Sequence, residues 1–312
     1  MHALGLILAL LLTTTGLAAA APPSERAKAA SAVAAQSFET TEAAVDALVA
    51  AMRQERPDLL QAVLGPGSAS LVNSGDRVAD QQARRRFLEA YDARHALIEA
   101  APDRMTLEVG DNHWPLPIPL VRSAGRWQFD SEAGAQELIN RRIGRNEVAA
   151  ISTALSYVDA QKRFFEQTGH YARRLVSTPG THDGLYWPTA AGEPESPLSD
   201  LAERAEEEGY PIAPRRTQQL PYHGYLFRIL TRQGPNSESG ARDYLRGEQM
   251  TEGFGLIAWP VTFGVSGIMT FIVNQDGVIF QKNLGKATPT AAARITLFDP
   301  DLSWTRLDLT NP

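Results

Sequence analysis

The stretch from Tyr222 to Gly285 constrains the fold most, because it reads as consecutive strands separated by identifiable turns. Tyr222 to Thr231 alternates well enough for one strand, Gln233 to Gly240 is a polar loop, and Phe254 to Trp259 makes a second strand. Ile268 to Asn274 and Val278 to Asn283 form a hairpin around Asp276-Gly277, a pair that supplies the positive φ angles of a tight turn. Thr290 to Phe298 closes the run as a helix or a strand-like edge. An antiparallel sheet is expected here, and it says much about fold and little about chemistry.

A helix must cover one face of that sheet. Ser131 or the nearby acidic turn starts a helix through Leu138 and Ile139 that is expected to stop near Gly144. Asn146 then caps a long helix with Val148, Ile151, Leu155, Val158 and Phe165 on one face, closed by Gly169. Trp187 to Asp200 is a Pro-rich loop, and Leu201 to Glu208 a short acidic helix.

The chain ahead of Ser131 reads differently. Thr40 or Thr41 caps a helix carrying Val45, Leu48, Val49 and Met52, and Pro57 opens a second one that Gly65-Pro66-Gly67 ends. A third runs from about Asp76 to Arg94. Short extended runs follow at 96–100, 105–109, 116–121 and 126–129, split by Pro102-Asp103, Gly110-Asp111-Asn112 and Ser123-Ala124-Gly125. Helices followed by a small antiparallel meander give an α+β unit over 38–130, and the long helix with its sheet gives a second over 131–312. A chain of 312 residues suits two such units.

The first residues point to export. Leu4 to Leu12 is an apolar run shorter than the roughly 20 residues a spanning helix needs, and Ala18 and Ala20 are placed for cleavage near Ala20 or Ala21. Residues 1–21 are therefore read as a cleaved signal peptide, and the Ala-, Ser- and Pro-rich stretch 22–37 as a tether. A periplasmic or secreted location follows, with no stable membrane span after cleavage. The n-region carries His2 but no Lys or Arg, which leaves an uncleaved anchor open. The absence of cysteine excludes disulfides, thiolate metal sites and a cysteine nucleophile. The net charge of −6 argues against a nucleic-acid partner. Of 30 basic residues only Lys28, Lys162, Lys282 and Lys286 are lysines, a bias that suits carboxylate pairing and equally follows from a GC-rich genome.

Each candidate motif has a functional and a structural reading. Ser266 in Gly264-Val265-Ser266-Gly267-Ile268 is similar to a nucleophile elbow, but Ile268 stands where Gly is required and a strand follows, so a turn serine is preferred. His170, His182 with Asp183, and His223 lack the i, i+4 spacing of a helical metal site, and no metal is expected. Arg141, Arg142 and Arg145, with Glu147, form either an anion or carboxylate site at a helix N-terminus or ion pairs that fix a junction. Tyr157, Asp159 and Gln161 lie along the long helix, and Tyr186 with Trp187 makes a loop pair of aromatics that binds a ligand or folds over a core. No phosphate loop, dinucleotide fingerprint or calcium loop occurs, so no cofactor is expected.

Taken together, RRIGRNE (141–147), YVDAQ (157–161), STPGTHDGLYWP (177–188), GEPESPL (192–198), PYHGYLFRILT, the run GVSGIMTFIVNQDGVIFQKNLG, FDPD and Trp304 resemble a bacterial exported family known as domain of unknown function 2950, from about Phe38 to the end. That resemblance brings no activity with it. The element order before Ser131 is similar to the cone-shaped nuclear-transport-factor-2 class, whose sheets wrap a pocket, or to cystatins. The order after it is similar to the globular part of type IV pilins and pseudopilins, although the pilin leader is absent.

The expected role is non-catalytic binding or scaffolding in the cell envelope, with an envelope protein or glycan as partner. Ligand candidates are Arg141, Arg142, Arg145, Glu147, Tyr186, Trp187 and His223. The alternative is an envelope hydrolase of glycan or peptide that draws on Asp159, Asp183, His182 and His223. A third possibility, an assembly subunit, needs an exposed apolar face on the long helix.

Overall fold

A computed structural model describes residues 35–189, 192–212 and 220–308. The expected signal peptide and most of the expected tether lie outside the described residues. The fold is α+β, with helices gathered toward the N-terminal side and an antiparallel sheet toward the C-terminal side.

Helix α1 (Thr41–Arg53) starts at Thr40, whose hydroxyl accepts from the Ala43 N–H, and buries Val45, Leu48 and Val49. Pro57 opens α2 (Pro57–Leu64), and a one-turn helix α3 (Ala69–Val72) that the sequence pattern did not suggest follows the glycine turn. Helix α4 (Arg77–Ala93) is capped by Asp76. Strands β1 (His95–Ala101) and β2 (Arg104–Val109) form a hairpin at Pro102-Asp103. The run 116–121 is not one strand. Pro115, Pro117 and Pro119 lack the N–H that a ladder needs, so only β3 (Trp114–Pro115) and β4 (Leu120–Ser123) pair, and β5 (Arg126–Phe129) completes the sheet. The cluster from Phe38 to Phe129 is the first core.

Helix α5 runs unbroken from Ser131–Thr168. The break expected at Gly144 and the cap expected at Asn146 are both corrected. A glycine inside a helix costs only about 1 kcal/mol, and a continuous buried stripe overrides it. Ala135, Ile139, Ile143, Asn146, Ala150, Ala154, Tyr157, Gln161 and Phe164 carry that stripe. Its phase also differs from the expected one, since Val148 is 67% exposed while the small Ala150 and Ala154 lie inside. Helix α6 (Ser199–Glu207) follows the Pro-rich loop.

The second sheet is a meander in chain order: β6 (Tyr225–Leu230), β7 (Gly255–Pro260), β8 (Met269–Asn274), β9 (Ile279–Asn283) and β10 (Thr305–Arg306), every pair antiparallel. All six residues of β7 are buried, as a central strand covered on both faces requires. Helix α5 covers one face through Tyr157, Val158 and Phe164; α7 (Thr288–Arg294) covers the other through Ala292, beside Phe298 and Trp259. The polar loop after β6 contains two-residue ladders, 232–233 with 242–243 and 245–246 with 249–250.

Candidate functional site

Between α6, the start of β6 and the outer half of α5 lies a cavity of about 390 Å³. Its wall is apolar, with Leu175, Leu198, Leu201, Ile212, Phe227 and Leu256 contributing from five separate segments. Tyr157, Tyr186, Tyr210 and Tyr222 also face it, and the polar side chains of Thr153 and Arg174 complete the lining.

Two of the four tyrosines, Tyr157 and Tyr210, are fixed from behind. The Tyr157 hydroxyl donates to the Gly255 carbonyl (3.0 Å), and Gln161, fully buried one turn on, donates to Tyr157 Oη (3.0 Å) and to the Ala172 carbonyl while accepting from the Ala172 N–H. The Tyr210 hydroxyl donates to Asp76 Oδ2 (3.0 Å) and accepts from the His223 N–H (3.2 Å). Gly224 N–H donates to the same Asp76 oxygen (2.8 Å). His223 (φ 47°) and Gly224 (φ 74°) both take left-handed backbone, which turns their two N–H groups onto this network. Only glycine fits at 224, because a Cβ there would lie 2.5 Å from Asn146 Nδ2. Burial pushes the Tyr222 phenol up to about 12, with the Glu208 carboxylate adding to the rise, so it stays protonated at neutral pH.

Of the candidate residues singled out in the sequence, Tyr157 and Tyr186 line this cavity and the others lie outside it. Tyr186 lines it; Trp187 is buried beneath, with the exposed His182 stacked on its ring at 4.3 Å between centroids. His223 touches Tyr210 and Tyr222, and its Nε2 lies 2.9 Å from Glu208 Oε2. Asp183 serves its own loop. It accepts from the Thr178 N–H (2.7 Å), the Thr178 hydroxyl and the Thr181 hydroxyl, and Arg174 stands 3.3 Å away. Asp159 is exposed on α5. The carboxylate beside His223 is thus Glu208, from the end of the acidic helix, and neither Asp183 nor Asp159. Ser266 is a turn serine, buried, donating to the Thr262 carbonyl and accepting from its N–H.

The arginine cluster is not at a helix N-terminus, because α5 passes through it and its N–H groups are used within the helix. Arg142 donates to the carbonyls of Ser70 and Leu71 (2.7 Å each), at the end of α3. Burial lowers its pKa, and Asp80 opposes that shift. Arg141 pairs with Glu137. Glu147 accepts from the N–H groups of Ile268 (2.9 Å) and Met269 (3.0 Å), and Asn146 donates to the Ser266 carbonyl (2.9 Å), so both tie α5 to the start of β8. Among the described residues no three His, Asp or Glu side chains stand together as a metal site.

The family described as Protein of unknown function (DUF2950) matches residues 35–307. The chain belongs to this family. No curated protein matches it. The match takes in both sheets, α5 between them and every lining residue of the cavity, so the site lies within the span of the DUF2950 match.

As site residues, Asp76, Tyr210, Tyr222 and Glu208 are not singled out by the sequence pattern. Tyr210, Tyr222 and Tyr225 with His223 make an aromatic density within sixteen residues that could have signalled a lined cavity. Nothing local links Asp76 to it, since the two contacts span 134 and 148 residues.

Proposed function

We propose that this chain is a non-catalytic binding protein of the bacterial cell envelope, exported by its N-terminal 21 residues, and that the tyrosine-lined cavity takes an apolar or aromatic side chain of a partner polypeptide. The lining carries the reading. Apolar side chains dominate, and Tyr157 and Tyr210 spend their hydroxyls inside the protein, which leaves few free polar groups on the wall. A glycan needs many hydrogen-bonding groups at its edges, and Arg174, Thr153 and the phenols are too few to meet them, which favours protein over glycan. No helix among the described residues is long and apolar enough to cross a membrane, which is compatible with a cleaved leader. The helix laid on an antiparallel meander supports the likeness to pilin globular domains, but of Val148, Ile151, Leu155 and Val158 only Val148 is exposed, which gives little surface for assembly through that face.

The test is a thermal-shift and calorimetry comparison of the purified chain with a library of aromatic-rich peptides and with soluble peptidoglycan fragments. Peptide binding that raises the midpoint, and that Tyr222→Ala weakens about tenfold or more, is expected. Binding of the glycan fragments alone, or peptide binding indifferent to Tyr222→Ala, would overturn the reading.

A further inference from the structure

A second cavity, about 490 Å³, lies in the first half of the chain between α1, α2, α4, the first sheet and the opening turns of α5. Its size falls within the range of about 300–1,000 Å³ that holds small molecules. The deep wall is apolar: Leu48, Leu60, Leu64, Val72, Leu116 and Ile118 are all buried. The rim is cationic. Arg84 and Arg86 from α4 and Arg141, Arg142 and Arg145 from α5 line it, against the single carboxylate of Asp80.

Two of these arginines are committed within the protein. Arg142 binds the Ser70 and Leu71 carbonyls, and Arg141 pairs with Glu137 and lies 6.0 Å over the Trp114 ring. The other three make no salt bridge among the described residues, although Asp80 attracts Arg84 through space. The Arg84 Nε is closed off from solvent and has no hydrogen-bond partner among the described residues. Among the described residues Arg86 hydrogen-bonds only to Gln82, at 3.4 Å. Partial loss of water around the Arg145 guanidinium lowers its pKa, and the charges acting on it, Arg86 and Arg141, lower it further. Like charges held this close are unfavourable unless an anion offsets them, and guanidinium groups meet carboxylate and phosphate oxygens through paired hydrogen bonds.

We propose that this cavity binds a single-chain anionic amphiphile, with its head between Arg84 and Arg145 and its alkyl chain against Leu48, Leu60, Leu116 and Ile118. An apolar wall alone would accept any hydrocarbon, and an arginine rim alone any anion. The two together select a molecule with both ends. A fatty acid carboxylate and an alkyl phosphate share this chemistry. The site is separate from the tyrosine-lined cavity and does not depend on the function proposed for it.

Calorimetric titration of the full chain tests this with dodecanoate, dodecyl phosphate, dodecan-1-ol and acetate. Saturable one-to-one binding of dodecanoate or dodecyl phosphate is expected, the tighter of the two naming the head group, with dodecanol and acetate at least about tenfold weaker. Arg145→Gln changes a surface side chain with no hydrogen bond to lose, so the fold is retained and the affinity is expected to drop about tenfold. Leu201→Trp, which fills the tyrosine-lined cavity, should leave the affinity unchanged. Equal binding of dodecanol, an Arg145→Gln variant of unaltered affinity, loss of binding in Leu201→Trp, or no saturable binding of either anion would each overturn the proposal.

Discussion

The two cavities are lined from opposite stocks of polar groups. In the tyrosine-lined cavity every phenol with a described hydrogen bond spends it inside the protein: Tyr157 on the Gly255 carbonyl, Tyr210 on Asp76. In the arginine-rimmed cavity four of five guanidinium groups make no salt bridge among the described residues, and the Arg84 Nε has no hydrogen-bond partner there. The first arrangement satisfies Tyr157 and Tyr210 internally and presents a mostly apolar surface. The second leaves positive charge unmatched at the edge of an apolar chamber. A polar group that is satisfied internally contributes to stability, and one that is left over is available for recognition. Asp76 joins the two halves, capping α4 beside the arginine cavity through the Ala79 N–H while its other oxygen holds Tyr210 and Gly224.

The harshest test of that link is Asp76→Ala. Asp76 is 1% exposed and accepts three hydrogen bonds, and its removal leaves the Gly224 N–H, the Tyr210 hydroxyl and the α4 cap without an acceptor. A loss of about 3–5 kcal/mol is expected in urea unfolding, the range for breaking a buried charged network. Peptide binding at the tyrosine-lined cavity should fall with it, because Tyr210 is released. Unchanged stability would mean that the two halves are held without this bridge.

A milder pair separates committed from unmatched arginines. Arg142→Ala removes the donor for the Ser70 and Leu71 carbonyls and the cation nearest in effect to Asp80, whose pKa burial already pushes up against the pull of Ser74, Arg142 and Arg84. A loss of about 1.5–3 kcal/mol is expected. Arg145→Gln, by contrast, should leave the urea midpoint where it is. Equal losses in the two variants would erase the distinction between them.

What the sequence disclosed follows from the range of the forces involved. The Asp276-Gly277 hairpin, in which only Gly277 takes the positive φ expected of the pair, the Asp76 helix start and the Pro57 opening were legible because each depends on a few adjacent residues. Gly144 misled, because a local helix weakness was judged without the stripe from Ala135 to Phe164 that buries the helix on both sides of it. The same stripe explains Val148: alanines, not the larger aliphatics, occupy the close approach between α5 and the sheet, so the apolar periodicity pointed a residue or two off the buried face. In the candidate sites, the loop holding Tyr186 and the neighbourhood of His223 were found through local aromatic and titratable density. The arginines of α5 were found too, but their partners in the cavity, Arg84 and Arg86, come from a helix more than fifty residues earlier. Only the fold brings the two rows together.

The smallest effect concerns the loop that carries Tyr186 to its cavity. Burial by itself would raise the Asp183 pKa, but the Thr178 N–H and hydroxyl, the Thr181 hydroxyl and Arg174 together draw it below the ordinary carboxylate value. A carboxylate whose folded pKa lies below its unfolded value adds stability above the unfolded pKa, and that stability is lost as pH falls through the folded one. Asp183→Asn should therefore be less stable than the parent at pH 7 and approach it as the pH drops below 4. The side chain is 43% exposed and its ion pair with Arg174 is solvent-screened, so the difference at pH 7 is expected at no more than about 1 kcal/mol. Parallel urea titrations at pH 7 and at acidic pH read this out. A gap that stays constant across the range would show that the threonines hold the loop without help from the charge.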